Sequence, residues 1–85
     1  MKVLIPGALQ SYTEATSVEA TGATVADVLA DLECRYPGIR FRMIDEQGAI
    51  RRHIRLFHGG RMVTDLGCPL SADRELIIVQ ALSGG

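Results

Sequence analysis

Tryptophan is absent from this 85-residue sequence, and only Tyr12, Tyr36, Phe41 and Phe57 supply aromatic rings. Any core must therefore be built from aliphatic side chains. No apolar run approaches the roughly 20 residues of a membrane span. The opening MKVLIPG also lacks the long apolar stretch and cleavage site of a secretory signal, so a cytoplasmic protein is expected. Cysteine is scarce. Cys34 and Cys68 lie far apart with no C-x-x-C spacing, which argues against a zinc or redox motif and leaves a single disulfide open. His53 and His58 have no metal-ligand spacing to a cysteine or an acidic cluster, and are read as surface or hairpin residues.

What is present fits one small globule. Eighty-five residues make one domain, since a chain this short buries only about 60–65% of the surface its unfolded state exposes. The 47% hydrophobic and 22% charged content, with a net charge of −1, is that of an ordinary folded protein. The charge is uneven along the chain. Arg35 to Arg61 holds seven of the nine basic residues and only Asp45 and Glu46, a net of +5, against −6 for the rest. Such a segment suits an acidic partner or a phosphate backbone. The preferred reading is a solvated face, because nucleic-acid-binding domains carry an overall basic excess.

Hydrophobic periodicity gives the element order. Lys2 to Ile5 alternates as a strand and stops at Pro6-Gly7, and Thr16 to Ala20 reads as its partner, with Gly7 to Ala15 a loose loop between them. Thr24 with Asp27 three residues on makes a capping-box-like helix start, and Val25, Val28, Leu29, Leu32 and Tyr36 form one apolar stripe that ends at Pro37-Gly38. Cys34 falls opposite that stripe and should face solvent, where an unpaired thiol suits a reducing compartment; Asp31 and Arg35 are spaced for an i,i+4 pair. No nearby residue supplies Cys34 with a base, so it is not read as a nucleophile. Ile39 to Ile44 is ambiguous between a helical turn and extended chain, and Asp45 to Gly48 is a turn. His53 to Phe57 is a strand that turns through His58-Gly59-Gly60-Arg61 into Met62-Val63, two glycines admitting the positive φ of a tight hairpin. Leu66 to Leu70 is irregular. The last strand, Glu75 to Gln80, is apolar on both faces and so belongs in the middle of a sheet.

The order ββαββ with such a last strand predicts an α+β domain of the β-grasp type. It is a mixed sheet of four to five strands packed on one main helix, with the last strand parallel to the first and beside it. Leu76 and Ile78 then face the helix, and Ile77 and Val79 share the open face with Phe57. An exposed apolar patch on one sheet face marks an interface, so Phe57, Ile77 and Val79, with Arg55 and Arg61 at the rim, are the candidate partner surface. The domain is expected over 1–82, followed by a flexible tail at 83–85 in which Ser83 and Gly84 lead to Gly85. A terminal carboxylate is a poor electrophile until adenylated, and glycines let a tail thread a narrow channel in another enzyme.

The opening KVLIP, the helix TVADVLADLECRYPGI, the stretch RRHIRLFHGGRMV and the ending ADRELIIVQALSGG together resemble the MoaD/ThiS-like sulfur carriers. These are the small subunit of molybdopterin synthase and the carriers of the thiamine and cysteine pathways. The resemblance implies that a ubiquitin-activating-type adenylyltransferase, using ATP and magnesium that the carrier itself does not bind, converts the Gly85 carboxylate to an acyl adenylate. A sulfur donor then makes a thiocarboxylate, which delivers sulfur inside a downstream synthase with Ser83 and Gly84 in its active site. No residue of the chain need be catalytic, and the protein is a co-substrate rather than an enzyme. Molybdopterin-type and cysteine-type carriers are favoured over the thiamine type because Ile39 to His53 is longer than a minimal carrier needs. Two departures stand out: relatives often carry Val-Asn where this chain has His58-Gly59, and prolines where it has Gln80-Ala81, the second of which should loosen the tail. Two other functions remain open. The chain is alternatively a ubiquitin-like modifier joined through Gly85 to lysine, or a non-covalent RNA- or protein-binding module, although neither nucleic acid nor membrane is expected as a partner.

Overall fold

A computed structural model describes residues 1–81. Its strands are β1 (Lys2–Leu4), β2 (Ser17–Glu19), β3 (Ile54–His58), β4 (Arg61–Val63) and β5 (Leu76–Gln80). The sheet order is β2-β1-β5-β3-β4, with β5 parallel to β1 and antiparallel to β3. This is the β-grasp architecture expected from the pattern, with five strands. The both-face apolar strand is central, as its composition requires.

The main helix α2 (Val25–Arg35) buries Val25, Val28, Leu29 and Leu32 on one side of the sheet. The Thr24 hydroxyl accepts from the Asp27 N–H at 3.3 Å, so the predicted cap forms. The next orphan amides of α2 are met by the irregular segment before β5: Val25 N–H donates to the Cys68 carbonyl and Ala26 N–H to that of Leu66. A helix start satisfied in this way by its own chain is a structural joint. At the other end Arg35 pairs with Asp31 at 3.3 Å. The thiols of Cys34 and Cys68 are free, with Cys34 exposed.

Two segments differ from the sequence expectation. Gly7 to Ala15 is not a loose loop: a 3-10 turn (Gly7–Leu9) runs into α1 (Gln10–Thr13), and Leu9 is fully buried. Burial of one leucine is worth about 1.5–3 kcal/mol, enough to order a short crossing that periodicity over nine residues does not reveal. The ambiguous Ile39 to Ile44 resolves as α3 (Ile39–Met43), with Ile39, Met43 and Ile44 all in the core. Its start is organised by a side chain from the preceding helix. Glu33 accepts from the N–H groups of Gly38 and Arg40, both at 2.9 Å, which holds its carboxyl below the usual range. Gly38 itself has φ 98°, and a side chain there would press on the Tyr12 ring. Only glycine sits comfortably in that conformation and that space.

The His58-Gly59-Gly60-Arg61 hairpin forms as expected, with φ of 59° at Gly59 and 84° at Gly60 and His58 opposite Arg61. His58 ties the hairpin to the loop beside it. Its Nε2 accepts from the Ser71 N–H at 2.9 Å, and its Nδ1 lies 3.1 Å from the Glu75 carbonyl, which the Nδ1–H tautomer satisfies.

Candidate functional site: the open sheet face and the exit of β5

Strand register decides which side chains share the face that α2 leaves uncovered. Val3, Leu76, Ile78, Ile54, Leu56 and Val63 point into the core. Their alternates do not. The pairings Leu4 with Ile77, Ile77 with Phe57, and Phe57 with Met62 line four apolar side chains across four strands in a single row. Val79 stands in the next row, opposite Arg55. Met62 and Val79 are exposed, while Leu4, Phe57 and Ile77 are half-buried by one another. The face is an apolar band with one guanidinium beside it.

Of the residues predicted for this surface, Phe57, Ile77, Val79 and Arg55 do lie together on the open face. Arg61 does not. It stands opposite His58, in register with the core-facing residues, and turns towards the cleft of His58, Pro69 and Ser71 on the other side of the sheet. The place expected for it belongs to Met62. A two-residue hairpin loop fixes that register in advance, since His58 opposite Arg61 forces Phe57 opposite Met62. Counting outward from the glycines recovers both Met62 and the side on which Arg61 falls. Leu4 was missed because the facing of a three-residue strand is visible only once its parallel neighbour is known.

The band leads to the exit of β5. Gln80 pairs with Ile54, and the Ala81 N–H donates to the His53 carbonyl at 2.7 Å. At Gln80-Ala81 proline would have no N–H to give, and alanine here adds a rung to the ladder; the loosening expected of the tail itself lies outside the described residues. Leu82 and the predicted tail residues Ser83, Gly84 and Gly85 lie outside the described residues. Around the exit, Phe41, Arg42, Arg51, His53 and Gln80 line a cleft of about 260 Å³. That is smaller than the roughly 300–1,000 Å³ of small-molecule sites. Among the described residues no group of three or more His, Cys, Asp or Glu side chains is placed to hold a metal, and no helix is long and apolar enough to cross a membrane.

The sheet order, with the doubly apolar β5 at its centre and the helices on one face, defines a ubiquitin-like β-grasp domain. The chain belongs to the ThiS family, whose model matches residues 3–85. A search of curated proteins gives no match. Solved structures do. A chain of the Amycolatopsis orientalis BexX/CysO complex is 33% identical, with a TM-score of 0.90, covering 99% of this chain and 98% of that one. CysO of Mycobacterium tuberculosis is 29% identical, with a TM-score of 0.89, covering 95% and 98%. SAMP1 of Haloferax volcanii is 27% identical, with a TM-score of 0.79, covering 100% and 98%.

Proposed function

We propose that the protein is a sulfur carrier of the cysteine type whose reacting group is the Gly85 carboxylate. The observation that supports this reading is that β5, the central strand, ends beside an apolar face and is followed in sequence by Ser83, Gly84 and Gly85, in a chain of the ThiS family. The carboxylate attacks the α-phosphate of ATP bound to a partner adenylyltransferase, pyrophosphate leaves, and an acyl adenylate results. A sulfur nucleophile then attacks the carbonyl, AMP leaves, and the thiocarboxylate carries sulfur to a synthase. ATP and magnesium belong to the partner. This chain supplies reach through Ser83, Gly84 and Gly85, and docking through Phe57, Ile77, Val79, Met62 and Leu4, with Arg55 at the edge. It acts in the cytoplasm as a co-substrate. The CysO likenesses favour the cysteine type over the molybdopterin type.

The test is intact mass. With a ubiquitin-activating-type adenylyltransferase, ATP, magnesium and sulfide, the protein should gain the mass of one oxygen replaced by sulfur, and the variant lacking Gly85 should not. An unchanged mass in the full chain would sink the proposal. The likeness to SAMP1 supports a second reading, a protein modifier joined through Gly85 to lysine. Target peptides bearing a remnant of this C-terminus on lysine would decide for it.

A further inference from the structure

The basic segment between Arg35 and Arg61 is not accounted for by the open face, and the fold gathers part of it at one place. Arg42, Arg51 and His53 surround Gln80, and the His53 carbonyl holds the Ala81 amide; Arg55 stands opposite Val79, one residue before Gln80, and donates to the Arg52 carbonyl. These arginines form a collar around the point where the tail begins. None of them makes an ion-pair contact among the described residues, Asp45 acting on Arg51 only from a distance. Among the described residues the ion pairs are Met1 with Glu19 and Asp31 with Arg35, neither of them in the collar. Of the carboxylates near in sequence, Glu33 is engaged by the Gly38 and Arg40 amides and Asp45 by the Gln47 and Ala49 amides of its own turn, while Glu46 is exposed and forms no ion pair among the described residues.

The collar is nevertheless held in position. Arg51 Nε donates to the Phe41 carbonyl at 2.8 Å, and its guanidinium lies 4.6 Å from the centre of the Phe41 ring. Arg55 Nη1 donates to the carbonyls of Arg52 and Ile54. Carbonyl acceptors and an aromatic face fix a guanidinium without cancelling its charge, so less side-chain freedom remains to be lost on docking. Phe41 is 55% exposed beneath Arg51, which leaves an apolar contact beside that guanidinium.

We propose that this collar of Arg42, Arg51, Arg52 and Arg55 docks on an acidic rim around the mouth of the tail channel in the activating enzyme. The inference rests on the carrier reading and adds to it the chemistry of the partner surface. Four residues follow Ala81, so Gly85 reaches at most about 14 Å beyond the collar. An enzyme that binds ATP and a carboxylate needs positive charge at the bottom of its channel, and at the rim this carrier requires the opposite sign. The collar therefore steers the chain by its base while the tail carboxylate is drawn by the interior. A protein rim fits better than a nucleic acid. The chain outside the basic segment carries −6, which repels a long polyanion but leaves a compact acidic patch free to engage the collar alone.

The test uses the full chain with a purified ubiquitin-activating-type adenylyltransferase, reading pyrophosphate release. Arg42 and Arg52 are exposed, so the double variant Arg42→Glu/Arg52→Glu should fold as the parent does, checked by circular dichroism and melting temperature. Its KM should rise about tenfold or more at low salt with kcat unchanged, since each reversal replaces attraction by repulsion. The Arg42→Lys/Arg52→Lys variant should stay near the parent. Arg74→Glu, before the other end of β5, should change nothing. Raising salt from about 0.1 to about 1 M, where the screening length falls from about 10 to about 3 Å, should close the gap between parent and variant. An unchanged KM in the double-Glu variant overturns the collar while leaving the carrier reading intact, provided deletion of Gly85 still abolishes turnover. Turnover that survives that deletion, or no turnover by the parent chain, overturns both. Labelled single-stranded oligouridine, titrated in parallel, should bind weakly; tight binding that the double-Glu variant loses would reassign the collar to RNA.

Discussion

The two faces of β5 carry nearly the same side chains and do different work. Leu76 and Ile78 are 0% and 2% exposed beneath α2, whereas Val79, one residue further on, is 39% exposed on the opposite side with nothing from the described chain over it. The difference is one of neighbours rather than of composition. On the core side, removing a methyl group leaves a cavity that close-packed surroundings cannot fill. On the open side it removes surface that the fold leaves exposed to solvent. Folding thus depends on Leu76 and Ile78 of this strand, and the proposed docking on Ile77 and Val79.

The sharpest way to break that comparison is to truncate the same kind of residue on each face. Ile78→Ala should lower unfolding stability by about 2–5 kcal/mol, measured by urea denaturation with an unchanged m-value. Leu56→Ala, its partner across the β3–β5 pair, should behave alike. A loss below about 1 kcal/mol for both would mean the helix-covered layer is not the main core.

The open face should respond in the opposite sense. Val79→Asp places a carboxylate across from Arg55, an opposite-charge cross-strand pair, so stability should change by no more than about 1 kcal/mol. Activation by the adenylyltransferase should nevertheless fall markedly through KM, because a charge is then buried in the docked state. Full activity in this variant would remove the band from the partner surface.

Most of the architecture was legible in the sequence, and the reasons are physical. The stripe from Val25 to Leu32, the paired glycines at 59 and 60 and the doubly apolar β5 each have one cheap conformation, and together they admit one sheet order. The crossing at Gly7 to Thr13 was not legible because a single buried residue, Leu9, holds it. Arg61 was misplaced, since alternation was extended from β3 without counting through the turn. The collar was visible only as a charge imbalance: nothing local shows that Phe41, Arg51 and Gln80 meet, because their meeting depends on β3 lying beside β5.

The smallest effect expected concerns the helical layer, and it separates that layer from the open face by pH. Asp31, Glu33 and Asp45 are held below the ordinary carboxylate range, chiefly by the backbone amides of Thr21, Gly38 and Ala49 respectively. A depressed pKa in the folded state means that the unfolded chain binds protons first as acid is added. The stability these groups contribute is therefore complete above the unfolded value of about 4 and declines as pH falls through the lower folded values. Each group is at the surface, so each contribution is small. Melting temperature should hold level above about pH 5 and fall below about pH 4, and Glu33→Gln should make that fall shallower by removing one titrating group. A neutral change on the other face, Val79→Thr, offers the control and should leave the acid slope as it is, since the Gly38 and Arg40 amides that depress Glu33 belong to the start of α3 and not to the sheet. An acid slope identical in the parent and Glu33→Gln would show that the joint between α2 and α3 does not depend on this carboxylate.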